Sequence, residues 1–359
     1  MLSDFTTSSI RANAVANAKA SDYFTGARIA DDLTALLERR ADAARALADL
    51  VDPAVNTVYL VGSGGSYADM VQAKYLFDAL TDVHTEAITS YDVMWRAPKL
   101  LDNRSLFVVA SLSGETEDTL AAMRYASGRG ATTVSLVRDA DSTLGREATH
   151  VVAFDSAACY EGPVVLLALL AGELAARAGR ATERDDLERS LYELPEILRA
   201  AVERELEAAD AKAEDFLDST HIYVLGAGVL SALAYKIALT VVMENIRIGA
   251  TYCDASEFRH GPAEALERTR PDMMFLVGTD ESREVTLRVR QLCEQRGARI
   301  LSYDATSYGD VHPLLSGLLL NSLTQCFIVH SAIKRGILNL DERVLMGHGV
   351  LGAADARWP

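Results

Sequence analysis

The sequence uses one local pattern twice: an apolar strand, a glycine-rich turn and then a helix. The first copy is TVYLVGSGGSYADMVQAKYLFDAL, with its turn at Gly62, and the second is HIYVLGAGVLSALAYKIALTVVMEN, with its turn at Gly226. β-branched residues before each glycine and helical spacing after it predict a strand followed by a helix. A chain that repeats this pattern in both halves is constrained to build two units of similar kind.

Each half continues with further apolar strands separated by amphipathic helices. The first half adds SLFVVASLSGETEDTLAAMRYA and TTVSLVRD, and the second adds MMFLVGTDESREVTLRVRQLCEQRG and RILSYDA. This alternation predicts an α/β fold with two parallel sheets, each covered by helices. The length of 359 residues also exceeds what one core usually supports. In such sheets, ligands bind where the carboxyl ends of strands meet helix starts.

The predicted boundaries follow from composition and periodicity. They are a helical arm over 1–50, a first domain over 51–180, a charged helical connector over 181–218, a second domain over 219–345 and a tail over 346–359. The connector contains Pro195 as its one interruption. We expect the arm to pack on the domains, because its apolar residues form a helical stripe.

Charge and composition exclude several classes of partner. The net charge of −16 repels nucleic acid and anionic membranes, and no basic run overcomes it locally. The first residues, MLSDFTTSSIRANAV, do not resemble a signal peptide, and no apolar run reaches the length of a membrane span, so we expect a cytoplasmic protein. The four cysteines are scattered without a CxxC pair. We therefore expect no metal site and no cofactor.

The first glycine-rich turn is a candidate phosphate site. A dinucleotide fingerprint would need a third glycine where Tyr67 stands, so that interpretation is weak. Gly64 and Gly65 let a ligand approach the backbone. Hydroxyl groups follow two successive strands, at Ser66 and at Ser111, Ser113 and Thr116. They predict phosphate binding together with helix-start amides, although such residues also cap helices.

The corresponding turn of the second half has a different character. The segment VGTDESREVT places Asp280 and Glu281 where a phosphate would dock. Two carboxylates disfavour an anion there. We therefore expect one half to hold the phosphate and the other to contribute different groups.

Two residues are candidates for acid–base chemistry. Glu244 interrupts the apolar helical run IALTVVMENIRIGA, where burial would raise the pKa of its carboxyl group. The alternative is a solvent-facing Glu244 paired with Arg247. His260 lies in ASEFRHGPAEAL, before a Gly-Pro break, and His312 precedes Pro313 and is expected to line a cleft. No GxSxG or HExxH is present, which favours acid–base catalysis without a metal.

Together these motifs resemble the sugar isomerase (SIS) family, and within it the two-lobed isomerase half of glucosamine-6-phosphate synthase. The residues that carry the resemblance are GSGGSYAD, SLSGETEDT, Glu244 and SEFRHGP. The resemblance implies two tandem flavodoxin-like domains and a sugar phosphate bound at Gly64, Gly65, Ser66, Ser111, Ser113 and Thr116.

The same resemblance assigns roles to the remaining candidates. It implies that Glu244 moves a proton between C1 and C2 of the sugar and that His260 aids ring opening. Glu257 and His312 complete the predicted substrate-binding set. In that family the histidine reaches the site from a second subunit, which implies a homodimer with a shared active site.

Departures from the synthase pattern narrow the range of reactions expected of this chain. Val241 and Leu112 stand where the synthase has a lysine and a glutamine, and no glutaminase domain is expected before Met1. The segments SEFRHGPAE, GTDESREVT and LDERVLMGHGVL, and the HPLL that begins at His312, are similar to those of fructosamine-6-phosphate deglycases. That branch implies cleavage of an amino-acid-linked fructosamine 6-phosphate to glucose 6-phosphate and a free amine.

Two alternatives stay open from the sequence. An aldose–ketose isomerase of a phosphorylated or other anionic sugar would need the same proton shuttle. A non-catalytic sugar-phosphate sensor is the second, although the basic helix-turn-helix segment that usually accompanies such sensors does not occur.

Overall fold

A computed structural model describes residues 25–51, 55–154, 161–337 and 340. These residues form two parallel sheets with helices packed on them, which confirms the predicted α/β class and the pair of sheets. The strands are β1 Thr57–Gly62, β2 Thr85–Thr89, β3 Ser105–Ser111, β4 Thr132–Val137, β5 His150–Ala153, β6 His221–Gly226, β7 Gly249–Asp254, β8 Asp272–Val277 and β9 Arg299–Asp304.

The helices connect successive strands or cover the sheets. The α-helices are α1 Gly26–Ala48, α2 Gly65–Leu80, α3 Ser90–Arg96, α4 Glu117–Gly128, α5 Thr143–Glu147, α6 Gly162–Arg177, α7 Ala181–Asp215, α8 Val229–Lys236, α9 Pro262–Ala265, α10 Arg283–Gln295 and α11 Ser316–Lys334. A π-helix, Ile237–Ile246, continues directly from α8, and short 3₁₀ turns span Ala255–His260, Ala305–Ser307 and Pro313–Leu315.

The first sheet has the strand order β2-β1-β3-β4-β5. Strands β1 and β3 are buried along their whole length, as expected for central parallel strands covered on both faces. The strand order reverses between β1 and β3, and their register aligns Val61 with Val109. The two turns that follow these strands therefore flank the crevice in which doubly wound sheets bind ligands.

The second sheet has the order β7-β6-β8-β9 and repeats the arrangement of the first around its own glycine turn. Gly64 has φ 55° and ψ −124°, and Gly228 has φ 58° and ψ −136°. Both precede a helix and adopt a conformation that residues with a side chain rarely occupy. The duplicated sequence pattern thus corresponds to the same backbone turn in both halves.

Helix α7 belongs to the core that the two halves share. It packs on α1, α6 and α11, and its apolar residues join one buried cluster with residues of both sheets. The predicted interruption at Pro195 is wrong, because α7 runs through this buried proline as one helix of 35 residues. Packing on several sides compensates for the missing backbone hydrogen bond.

The structure also corrects the expectation that no apolar run reaches the length of a membrane span. Among the described residues, Val229–Ile246 and Pro313–Lys334 are helical, long enough and apolar enough to cross a membrane. Their most apolar windows are 61% and 83% buried inside the protein. Both stretches pack in the interior, which accounts for their apolar composition.

Parts of the predicted boundaries lie outside the described residues. This applies to 1–24 of the predicted arm and to the tail over 346–359. Within the arm, α1 begins after Thr25, whose hydroxyl accepts a hydrogen bond from the Arg28 N–H, and it buries one apolar face. The domain boundaries themselves stay predictions.

Candidate active site

The turn after β1, Gly62–Ser66, is called the phosphate turn here. A Cβ on Gly62 would lie 2.8 Å from the backbone carbon of Ser66, so only glycine allows α2 to begin so close to the strand. Gly64 is the N-cap of α2, and no side chain in the described chain caps this helix. The first amide groups of α2 therefore provide donors that suit an anion, and Ser66, which is partly exposed, lies in the same turn.

The loop after β3 brings three of the predicted hydroxyl groups together. The Ser111 Oγ lies 2.9 Å from the Thr116 Oγ1 and 3.5 Å from the Ser113 Oγ, and it accepts a hydrogen bond from the Gly114 N–H. Thr116 is the N-cap of α4, yet its side chain makes no capping bond within the part of the chain that the structure describes. The Thr116 hydroxyl therefore contacts the Ser111 hydroxyl, and its predicted role in phosphate binding stays a prediction.

A second network of polar side chains joins the neighbouring turns, and the sequence did not reveal it. The Ser63 hydroxyl lies 2.6 Å from the Asp118 carboxylate and 3.0 Å from the Ser90 Oγ, which is in turn 3.1 Å from the Thr119 Oγ1. These contacts link the phosphate turn to the starts of α3 and α4. They hold the edge of the candidate site in one arrangement.

The equivalent crevice of the second sheet already contains carboxylates. A Cβ built on Gly228 would lie 2.5 Å from the Asp280 Oδ2, and Asp280 accepts a hydrogen bond from the Ser282 N–H. Asp254, the last residue of the neighbouring strand β7, accepts a hydrogen bond from the Ser231 hydroxyl on α8. Negative charge at this turn agrees with the expectation that the second half does not hold the anion.

Glu244 lies on the π-helix, a rare helix type that often occurs at functional sites. The helix ends at Arg247, which adopts a left-handed conformation with φ 60°. Thr240, about one turn before Glu244, faces the phosphate turn: a Cβ on Gly64 or Gly65 would lie 3.4 Å from its side chain. The helix from the second half that carries Glu244, which is partly buried, thus rests against the phosphate turn of the first half.

A buried ion cluster lies directly behind this contact. The Lys236 Nζ lies 2.8 Å from the Asp69 Oδ1 and 2.8 Å from the Glu161 Oε1, and all three side chains are buried. Burial lowers the pKa of Lys236, but the two carboxylates raise it more, so it lies above the ordinary value. Burial, then the charge of Glu161, raises the pKa of Asp69 well above its usual range.

Sequence reasoning missed this cluster, although a signal was present. Lys236 directly precedes the apolar run that Glu244 interrupts, so it also places a charge next to apolar residues. Asp69 belongs to the GSGGSYAD motif but was not assigned a role. Glu161 has no motif, and only the tertiary structure brings it to the other two residues.

His260 and Glu257 share one short turn that follows β7. Both are exposed on the 3₁₀ turn Ala255–His260, which packs mainly on β7, α9 and α10. The Arg259 Nε donates a hydrogen bond to the His260 Nε2. These exposed side chains face away from the core and are accessible to a ligand or a second subunit.

His312 has a local structural contact. Its Nδ1 accepts a hydrogen bond from the Leu314 N–H and caps the short 3₁₀ turn that leads to α11. Burial lowers its pKa, and Asp186 opposes this shift. The turn packs on α2, so His312 lies behind the helix of the phosphate turn, and its predicted role in substrate binding stays a prediction.

Comparison with known proteins finds a family match in the first half of the chain. Residues 54–170 match the family model described as the SIS domain. The fructosamine deglycase FrlB of Bacillus subtilis is 27% identical over 300 residues, which cover 80% of this chain and 91% of the relative. The fructoselysine 6-phosphate deglycase of Escherichia coli K12 is 28% identical over 274 residues, covering 76% and 80% of the two chains.

A solved structure shows that the likeness extends to both sheets. The C-terminal domain of glucosamine-fructose-6-phosphate aminotransferase from Francisella tularensis superimposes with a TM-score of 0.74, at 20% identity, over 93% of this chain and 98% of that one. At this identity the comparison establishes the fold. The family match and the sequence relatives confirm the resemblance to the SIS family.

Proposed function

We propose that this chain, an SIS enzyme related to sugar-phosphate deglycases and phosphosugar isomerases, cleaves an amino-acid-linked fructosamine 6-phosphate. The products would be glucose 6-phosphate and the free amine. The observation that carries the proposal is the close approach of the Thr240 side chain to Gly64 and Gly65, because Thr240 and Glu244 belong to the same π-helix. The names of the relatives support the class of substrate.

The phosphate would be held by the first lobe. Amides at the start of α2 and the hydroxyl groups of Ser66, Ser111, Ser113 and Thr116 provide donors for its oxygens. Hydrogen bonds to a charged group are stronger than neutral ones, and a helix start favours negative charge. This local field is what lets a protein of net charge −16 bind an anion.

Glu244 would act as the general base. In the open-chain ketosamine, it removes a proton from C1, and the electron pair forms a C1–C2 double bond. The π pair of the C2 carbonyl moves to its oxygen, which takes up a proton, to give an enolamine. Return of a proton to C2 converts this species into an imine between C1 and the amine nitrogen. Water then adds to C1, and the C–N bond breaks to release the amine and glucose 6-phosphate.

His260 would open the sugar ring or return the proton, and it would do so in a homodimer. Its exposed position in the protomer supports delivery to the site of a second subunit. Leu239 and Met243 on the π-helix and Leu112 in the loop after β3 are exposed apolar residues. A second subunit would cover such side chains. We further propose that the enzyme is cytoplasmic.

The test is a coupled assay for glucose 6-phosphate on a panel of fructosamine 6-phosphates, run beside fructose 6-phosphate. Glu244→Gln is expected to abolish turnover while sugar-phosphate binding persists, because only the chemical step needs the carboxylate. Conversion of fructose 6-phosphate alone would favour an aldose–ketose isomerase. Ligand binding without turnover of any substrate would favour a sensor.

A mixing experiment tests the shared site. Glu244→Gln and His260→Ala are each expected to be inactive as homodimers. If the histidine acts across the interface, a mixed dimer regains one complete site, and an equal mixture after exchange recovers at most about a quarter of wild-type activity. No recovery in demonstrated mixed dimers would place His260 at the site of its own subunit.

A further inference from the structure

The ion cluster of Lys236, Asp69 and Glu161 joins helices from both halves of the chain. Asp69 lies on α2, which begins at the phosphate turn, and Glu161 is the N-cap of α6. Lys236 is the last residue of α8, immediately before the π-helix that carries Glu244. The cluster therefore connects the two elements whose relative position decides where a base meets a phosphorylated sugar.

Further contacts near the cluster connect the same two elements, the phosphate turn and the π-helix. The Lys236 carbonyl accepts a hydrogen bond from the Thr240 hydroxyl, and a Cβ on Gly65 would lie 3.6 Å from the Lys236 Cε. The Tyr67 and Tyr235 rings meet edge to face, with centroids 5.9 Å apart. Tyr67 directly follows the phosphate turn and Tyr235 directly precedes Lys236, so this ring pair is a second contact between α2 and α8.

Stability alone does not account for this arrangement. Burying three ionisable groups costs desolvation energy, and well-packed apolar residues often replace such clusters without loss of stability. Here two carboxylates share one ammonium group, and the Glu161 Oε2 has no hydrogen-bond partner among the described residues. A better-established use of buried polar groups is to select one packing arrangement among several.

We propose that Lys236, held between Asp69 and Glu161, is a positioning residue that fixes the π-helix bearing Glu244 against the phosphate turn. Its directional bonds to both carboxylates specify the translation and rotation of α8 relative to α2 and α6, which apolar contacts alone leave less defined. The catalytic part of this inference rests on the proposed function. The structural part, the placement of the π-helix, does not.

The experiment compares Asp69→Asn and Lys236→Met with Lys212→Met. Lys212 is the matched control because it pairs with the buried Glu205 on α7, away from the phosphate turn. For both test variants, kcat is expected to fall about 10- to 100-fold, since small misplacements of a base are costly. KM is expected to stay within about threefold, because the phosphate donors are unchanged. Lys212→Met is expected to keep wild-type kcat.

A second readout separates this inference from the proposed function. Amide hydrogen exchange over 237–247 is expected to accelerate in both test variants but not in Lys212→Met, whether or not any substrate is turned over. If Lys236→Met does not fold, Asp69→Asn decides, because it keeps the Lys236–Glu161 pair. Unchanged exchange in this segment, or an equal change in the control, would overturn the inference. With an active wild type, an unchanged kcat would do the same.

Discussion

Replacing Gly64 by alanine tests which lobe binds the phosphate. Gly64 has φ 55° and ψ −124°, a region that only glycine occupies readily, so alanine is expected to cost about 1–3 kcal/mol of folding free energy. The new Cβ would lie 3.4 Å from the Thr240 methyl group, which is close but tolerable. Backbone strain therefore dominates the effect, and relief of that strain rotates the amides at the start of α2.

The chain contains its own control, because Gly228 has nearly the same backbone conformation in the second lobe. Gly228→Ala is expected to destabilise at least as much, since its Cβ would also approach the Asp280 carboxylate at 2.5 Å. Thermal or urea unfolding should thus show comparable losses for the two variants. If only the first half of the chain binds the phosphate, affinity for the sugar phosphate should fall in Gly64→Ala and stay at the wild-type level in Gly228→Ala.

Losing one charge-assisted backbone hydrogen bond costs about 1.5–3 kcal/mol. That cost corresponds to a dissociation constant about 10- to 150-fold weaker. Titration calorimetry with fructose 6-phosphate, well below the unfolding temperature, measures this dissociation constant. The reasoning is refuted if Gly64→Ala binds like wild type, or if Gly228→Ala weakens binding as much.

Two further predictions concern a hydroxyl group and a histidine. Thr116→Val is expected to weaken sugar-phosphate binding about tenfold, by one hydrogen bond to a charged group, with little change in stability. By contrast, Thr25→Val removes the hydroxyl that caps α1 and should lower stability by about 0.5–2 kcal/mol without affecting binding. Titration calorimetry measures the binding of both variants, and urea unfolding measures their stability. His312 has a lowered pKa in the folded state, so its stabilising contribution is present above pH 6.5 and is lost as the pH falls below it. Between pH 8 and 5 the unfolding temperature should therefore fall less in His312→Asn than in the wild type. Asparagine keeps a capping acceptor for the Leu314 N–H. An equal fall of the unfolding temperature in both proteins would contradict this assignment.

The sequence was sufficient for the class of fold and for the position of the glycine-rich turn after β1. Alternation of apolar strands and amphipathic helices is a local property, and it predicted two parallel sheets that the structure contains. In the structure, Gly64 and Gly228 both have a positive φ, a conformation that suits glycine. Pro195 shows the limit of local rules, because packing on α1, α6 and α11 kept α7 continuous where propensity predicted a break.

Only the tertiary structure decided which groups of the two halves meet. The sequence marked Glu244 by its apolar surroundings, but the contact of Thr240 with the phosphate turn depends on how α8 packs on α2. The same packing joins Lys236 to Asp69 and Glu161, which lie far apart in sequence. Periodicity determines what each segment becomes, whereas contacts between distant segments follow from burying all their apolar faces at once. For this reason the sequence pointed to the glycine-rich turn and to Glu244 as a candidate base, and the fold alone brought Lys236, Asp69 and Glu161 together.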